Sequence, residues 1–149
     1  MKTTILVAAH KPYAMPQDAA YLPVQAGAAL HDSLPYQSDD EGESISRRNG
    51  NWCELTVLYW AWKNLPADYL GLMHSRRYLG RGRQPAGREQ LMRELEKAPV
   101  LLPKKRNYWI ESNQSQYVHA HGEDSLLALK AVMEEHCPEY LPAFERSLR

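Results

Sequence analysis

Hydrophobic positions along the chain fall into blocks with two different periods. Residues 3–10 (TTILVAAH) are an unbroken apolar and β-branched run that stops at His10, Lys11 and Pro12. A run of this kind predicts a central parallel strand covered on both faces and ending in a loop. Residues 21–27 (YLPVQAG) predict a second, short extended piece, because Pro23 holds its neighbour out of the helical region. From Ala28 to Asn49 polar and turn-forming residues prevail, and a loop this long inside a compact domain is usually functional or mobile. Residues 51–64 (NWCELTVLYWAWKN) then carry the clearest helical signal. Asn51 with Glu54 three residues on has capping-box character, and Pro66 stops the helix. Trp52, Leu55, Val57, Leu58, Tyr59, Trp60 and Trp62 are spread nearly all round it, which predicts burial on most sides.

Residues 68–74 (DYLGLMH) predict a buried strand after a very short connection, ending in charge at His74, Arg76 and Arg77. An amphipathic surface helix follows over 87–98, with Leu91, Met92 and Leu95 on its apolar side. Residues 99–103 (PVLLP) predict a short strand, 104–117 a loop, 123–136 a second amphipathic helix and 138–149 a last short one. The helix over 123–136 begins close to acids that favour its positive end. The order β, loop, α, β, α, β, α, α predicts an α/β fold: an open, mostly parallel sheet with flanking helices.

Length and charge narrow the function classes. The 149 residues suit one compact domain, and eighteen basic residues balance eighteen acidic ones. A net charge of zero removes the generic electrostatic case for nucleic acid or a membrane surface. Balance overall hides local imbalance: Asp39, Asp40, Glu41 and Glu43 form an acidic knot, while Arg76, Arg77, Arg81, Arg83 and Arg88 form a basic run. Cys53 and Cys137 lie far apart and read as free thiols in a reducing compartment. The amino-terminal apolar stretch is too short for a membrane span and a poor signal peptide, so the expectation is a soluble, cytoplasmic protein. Nine Tyr and four Trp against one Phe suit sites that stack on bases or sugars, and equally suit half-buried positions.

In open α/β sheets ligands bind outside the carboxyl ends of the strands. His10 and Lys11 follow the first predicted strand, and His74, Arg76 and Arg77 the third. Paired guanidinium forks there suit phosphate oxygens; the plainer alternative is that they are solvated or pair with the acids of 39–43. His119 and His121 would share one face of a strand and bind metal with Glu123 or Asp124, whereas in a loop leading into a helix such residues cap or pack. Asp39 and Asp40 offer hard oxygen ligands, or simply a solvated acidic loop. Glu54 is a candidate base, although its capping role needs no catalysis. No Walker loop, dinucleotide fingerprint, nucleophile elbow or zinc-finger spacing is present.

Taken together, HKPY (10–13), YLPVQAG (21–27), DDEGESISRRN (39–49), CELTVLYWAWKN (53–64) and DYLGLMHSRRY (68–78) resemble a family of uncharacterised domains. That family occurs in bacterial capsular and exopolysaccharide synthesis proteins and is regarded as a glycosyltransferase group. QYVHAHGED (116–124) and PEYLPAF (138–144) extend the resemblance over nearly the whole chain. Ser44 stands where the family pattern has Asn, and Ser75 where it has Tyr. Family members usually continue further, so the expectation is a single glycosyltransferase-like domain over 1–149, the amino-terminal part of a longer family domain.

The resemblance implies a GT-A-like, Rossmann-like nucleotide-sugar-binding fold and a nucleotide-sugar-dependent transferase, hexosyl- or galactofuranosyl-type, in capsule, exopolysaccharide or O-antigen synthesis. The donor is a nucleotide sugar and the acceptor a glycan or lipid-linked glycan. Peripheral inner-membrane association and a homodimer are compatible with it, and nucleic acid is not expected. In that fold a strand end normally carries an Asp-x-Asp pair that holds a divalent metal, manganese or magnesium, against the diphosphate. His74, Arg76 and Arg77 occupy the corresponding place here, so a metal-independent or weakly metal-dependent transfer is expected, with Arg76 and Arg77 on the diphosphate and His74 bridging to sugar or phosphate. His10 and Lys11 would lie beside the nucleotide, with Tyr13 stacking on uracil; Asp39 or Asp40 would hold sugar hydroxyls or act as base or metal ligand. His119 is a further donor-site candidate. Two other readings are an inactive nucleotide-sugar-binding or regulatory module and a metal-dependent hydrolase built on His119 and His121.

Overall fold

The computed structural model describes residues 2–81, 84–104 and 109–149. Strand β1 (Thr3–Ala9) lies between β2 (Tyr21–Gln25) and β4 (Tyr69–His74), and β3 (Gln37–Ser38) pairs with the outer side of β2. The four strands are all parallel, in the order β3-β2-β1-β4. Alternation along β1 explains its unbroken apolar run. Ile5 and Val7 point into one core with Tyr21, Met73 and Leu91, and Leu6 and Ala8 into another with Val24, Val57 and Trp60. Gly71 lets β4 lie close to β1, since a Cβ there would meet the Ile5 side chain at 2.6 Å.

Helix α2 (Leu55–Asn64) covers the second of these faces and α3 (Arg88–Leu95) the first, giving an α/β/α layering. The region expected to be one helix from residue 51 is two: α1 (Asn49–Trp52) and α2, interrupted at Cys53 with φ 45° and ψ −130°. Asn51 is no cap. Instead Asn49 donates from Nδ2 to the Cys53 carbonyl (2.8 Å) and to Thr56 Oγ1 (3.1 Å), fixing the break. Burial on most sides is also corrected: α2 buries only Thr56, Val57, Trp60 and Ala61, while Trp62 is 65% exposed. The sheet covers one face of the helix. On the open side Trp62 packs edge-on against Tyr59, and Lys63 lies 4.2 Å above the Trp62 ring.

The expected loop over 28–49 contains β3 and two 3-10 turns, Ala28–Leu30 and Ser46–Arg48. The strand expected at 99–103 does not form. Prolines at both ends deny it ladder donors, and only Leu101 turns in toward the core while Leu102 is 79% exposed. A small hairpin, β5 (Gly80–Arg81) with β6 (Gln84–Pro85), follows β4 instead; Arg83 of the basic run lies outside the described residues.

Helix α3 takes its cap from far away. Its N-cap is Gly87, which has no side chain, and Asp18 supplies the acceptor: the Ala20 N–H reaches Oδ1 (2.8 Å) and the Arg88 N–H reaches Oδ2 (3.0 Å). These two backbone donors hold the Asp18 carboxyl below its ordinary value of 3.8. Asp18→Ala should lower stability to urea by about 1 kcal/mol at neutral pH. A folded-state value below the unfolded one means the stabilisation is complete above the ordinary carboxylate range and is lost as pH falls through the depressed value. The gap between wild type and variant should therefore close in acid.

The chain divides into two compact units, residues 1–103 and 104–149. The second is helical: α4 (Asn113–His121), α5 (Asp124–His136) and α6 (Leu141–Ser147). Helix α4 begins inside the stretch expected to be loop, because the Ser112 hydroxyl accepts the Ser115 N–H and caps it; residues 105–108 of that stretch lie outside the described residues. Asn113 Nδ2 donates to the Ser147 carbonyl (2.7 Å) and Lys130 pairs with Glu145 (3.3 Å), tying α6 to the other two helices. No helix among the described residues is long and apolar enough to cross a membrane.

Candidate functional site

Because all four strands are parallel, their carboxyl ends share one edge of the sheet. His10 and Lys11 follow β1, Ala26 and Gly27 follow β2, Asp39 and Asp40 follow β3, and His74 ends β4 with Ser75 to Arg77 after it. Strands β1 and β4 are neighbours, with Ala8 opposite His74, so the two cationic segments lie side by side. Asp40 is at the other end of this edge, three strand spacings or about 14 Å from β4. The strand order thus joins His10 and Lys11 to the His74–Arg77 group and sets Asp40 apart from it.

Asp39 is fully buried, and both of its oxygens are saturated. Oδ2 accepts from the Gly27 N–H (2.9 Å) and Thr56 Oγ1 (2.6 Å), and Oδ1 from the Ala28 N–H (3.0 Å) and Ser46 Oγ (2.5 Å). Gly27, at φ 68°, aims successive backbone N–H groups into one concavity, a geometry that commonly binds anions. Here the chain's own carboxylate fills it. Asp39 has no surface to offer a ligand; its geometry locks the loop after β3 onto β2 and α2. The same loop is held by the Trp60 Nε1–H on the Glu41 carbonyl (2.8 Å) and by Glu43 against Tyr59 and Lys63. Hydrogen bonding from the Tyr59 hydroxyl, then from Lys63, keeps the Glu43 carboxyl below its usual range.

At the end of β4 the chain makes a tight turn, with the Arg77 N–H donating to the His74 carbonyl (2.9 Å). Both Arg76 and Arg77 are exposed, and no carboxylate among the described residues pairs with either. The alternative that the acids of 39–43 neutralise them is therefore not what this fold does. Inside the turn the Arg76 N–H donates to His74 Nδ1 (3.1 Å). A backbone N–H can only donate, so a neutral His74 ring carries its proton on Nε2. That nitrogen lies 3.9 Å from Glu54 Oε1, at the start of α2. Ser75 is buried, and its hydroxyl has no partner.

Tyr36 staples the segment after β1: the Tyr13 N–H donates to its hydroxyl (2.9 Å), which donates to the Tyr13 carbonyl (3.2 Å). Lys11 Nζ lies 5.5 Å from the centre of the Tyr13 ring, a cation–π contact. A groove of about 530 Å³ runs along the open edge of β4, walled by Leu70, Leu72, Leu91 and Leu101, and ends at His74 and Arg77.

His119 and His121 lie on α4 of the second unit. Two positions apart on a helix they point to nearly opposite sides, which corrects the shared strand face. His119 Nδ1 instead meets Glu111 Oε1 at 2.7 Å, and the His121 ring packs on Tyr117. Among the described residues no group of three or more His, Cys, Asp or Glu side chains is placed to hold a metal. At the end of β4 one imidazole and one carboxylate stand among two guanidiniums, whereas a hard divalent cation takes about six oxygen ligands. These residues do not fit a metal. Sequence reasoning missed the Glu54–His74 pair, the Tyr36 staple and the Ser46–Thr56 cage. None of the three has a local sequence signal, because each joins residues far apart along the chain.

No curated protein matches the chain significantly. Among solved structures, the apo structure of the bifunctional glycosyltransferase WbbM is similar over 99% of this chain, at 29% identity and a TM-score of 0.84. The chain spans 31% of that protein's length. The open parallel sheet with flanking helices is thus GT-A-like, as the family resemblance implies. The sequence also matches, over residues 4–149, a family described as a domain of unknown function, DUF4422. The match covers almost the entire chain, which therefore belongs to the DUF4422 family.

Proposed function

We propose that this chain is the donor-binding domain of a nucleotide-sugar-dependent glycosyltransferase that builds bacterial capsule, exopolysaccharide or O-antigen, transferring a hexosyl or galactofuranosyl unit to a glycan or lipid-linked glycan. The observation that carries the reading is the pairing of His10 and Lys11 with His74, Arg76 and Arg77 on adjacent strand ends, with both arginines free of carboxylates among the described residues. A diphosphate across these ends meets two guanidinium forks and an ammonium, charge-assisted partners stronger than neutral ones. The likeness to a glycosyltransferase supports the same class of ligand.

In this reading Arg76 and Arg77 take the diphosphate and stabilise the charge that grows on it as the sugar leaves. His10 and Lys11 flank the nucleotide, and Tyr13, its backbone pinned by Tyr36, stacks on uracil. Asp40 sits on the nucleotide side of the edge and holds a sugar or ribose hydroxyl; Asp39 acts by keeping that loop in place. His119, paired with Glu111 in the second unit, is assigned no role in this reading. Charge neutralisation by arginine leaves no task for a divalent ion. A thermal-shift screen of nucleotide sugars should find a stabilising donor whose effect is the same in manganese and in chelator. A donor that stabilises only with manganese would contradict the arginine-based site, and no stabilising nucleotide sugar would contradict the function.

A further inference from the structure

We propose that Glu54 is the proton acceptor for the hydroxyl that attacks the donor sugar, and that His74 holds that hydroxyl in position. The proposal rests on the donor-site reading above. Cys53 carries φ 45° and ψ −130°, a conformation that residues with a side chain rarely adopt and that persists only where the surroundings impose it. The break it makes leaves Glu54 at the N-cap of α2, where its side chain makes no capping bond to the helix. Among the described residues, the charged partner this carboxylate meets is His74, across 3.9 Å. That is too long for a direct hydrogen bond. A hydroxyl oxygen at an ordinary distance of about 2.8 Å from each atom closes a triangle on the 3.9 Å base. His74 Nε2–H donates to it, since Nδ1 is already used by the Arg76 N–H, and the hydroxyl's own proton points at Glu54. Both side chains are partly open to solvent, at 29% and 35%, so the position is accessible.

The step balances on these groups. The hydroxyl oxygen bonds to the anomeric carbon as the bond from that carbon to the diphosphate breaks. The electron pair of that bond stays on the departing diphosphate oxygen, whose charge Arg76 and Arg77 stabilise, and the proton passes to Glu54 Oε1. Direct displacement of this kind inverts the anomeric centre. Glu54 and the arginines lie on opposite sides of His74 in sequence and meet at one strand end, which places base and leaving-group site together.

The test uses the 149-residue chain, uridine diphosphate as binding probe, and uridine-diphosphate hexoses with water as the acceptor. Glu54→Gln should bind uridine diphosphate as tightly as wild type but release sugar about 100-fold more slowly or worse; Glu54→Asp should keep part of the rate. A Glu54→Gln rate within about tenfold of wild type would overturn the proposal, as would loss of nucleotide binding together with turnover. Sugar released with retained configuration would overturn it too. A wild-type chain that binds uridine diphosphate but releases no sugar overturns the base assignment and leaves the donor site standing. A chain that binds no nucleotide overturns the donor site and this proposal with it.

Discussion

Replacing Asp39 with alanine is expected to destabilise the first unit by about 3 kcal/mol or more, lowering its melting temperature by roughly 10 °C or more. The carboxylate is completely buried and takes four hydrogen bonds from three separate segments of chain. Of its donors, the Thr56 hydroxyl can turn to the Cys53 carbonyl, 3.1 Å away. The Gly27 and Ala28 N–H groups have no such alternative, and orphaned buried donors cost about 1–3 kcal/mol each. Asp39→Asn should be nearly as harmful, because its amide nitrogen would confront a backbone N–H and a hydroxyl that both donate. Thermal unfolding followed by circular dichroism measures this directly. A loss below about 1 kcal/mol would mean the cage is not what holds the loop.

The second large effect is on binding. Arg76→Ala and Arg77→Ala should each weaken nucleoside diphosphate affinity about tenfold or more, the usual worth of a hydrogen bond to a charged group. Turnover should fall further, by about 3–4 kcal/mol of transition-state stabilisation, since charge on the diphosphate peaks as the sugar departs. Lysine substitutions should restore charge without the two-pronged geometry and recover only part of the affinity. Both side chains are exposed, so stability should stay within about 0.5 kcal/mol of wild type. Calorimetric titration separates these quantities, and unchanged affinity in both variants would remove the arginines from the site.

How much of this the sequence disclosed depends on the range of the forces involved. The TTILVAA run and the DYLGLMH run announced strands because a strand buried on two faces has little freedom in composition. Cations after β1 and β4 were legible for the same reason: a parallel sheet must bring its carboxyl ends to one edge. The Trp-rich helix misled, because ring size signals burial only when a second layer covers it, and Trp62, met by Tyr59 and Lys63 of its own helix, stays exposed. The break at Cys53 was hidden, since its cause is the Asn49 side chain reaching across the turn. Likewise the DD pair of 39–40 gives no hint that Asp39 is buried and Asp40 exposed. That split follows from the backbone N–H groups of Gly27 and Ala28, which arrive from another strand. The resemblance to exopolysaccharide-synthesis domains supplied the fold class that local patterns could only bound.

The central claim is that one edge of the sheet, at the ends of β1 and β4, holds a donor diphosphate. Titrating uridine diphosphate into the isotope-labelled chain and following each backbone amide by NMR tests it most directly. The account predicts that the amides of residues 10–13 and 74–77 shift together and saturate at one concentration, with weaker response as salt is raised. Shifts absent from both segments, or confined to the helices of residues 113–147, would contradict it.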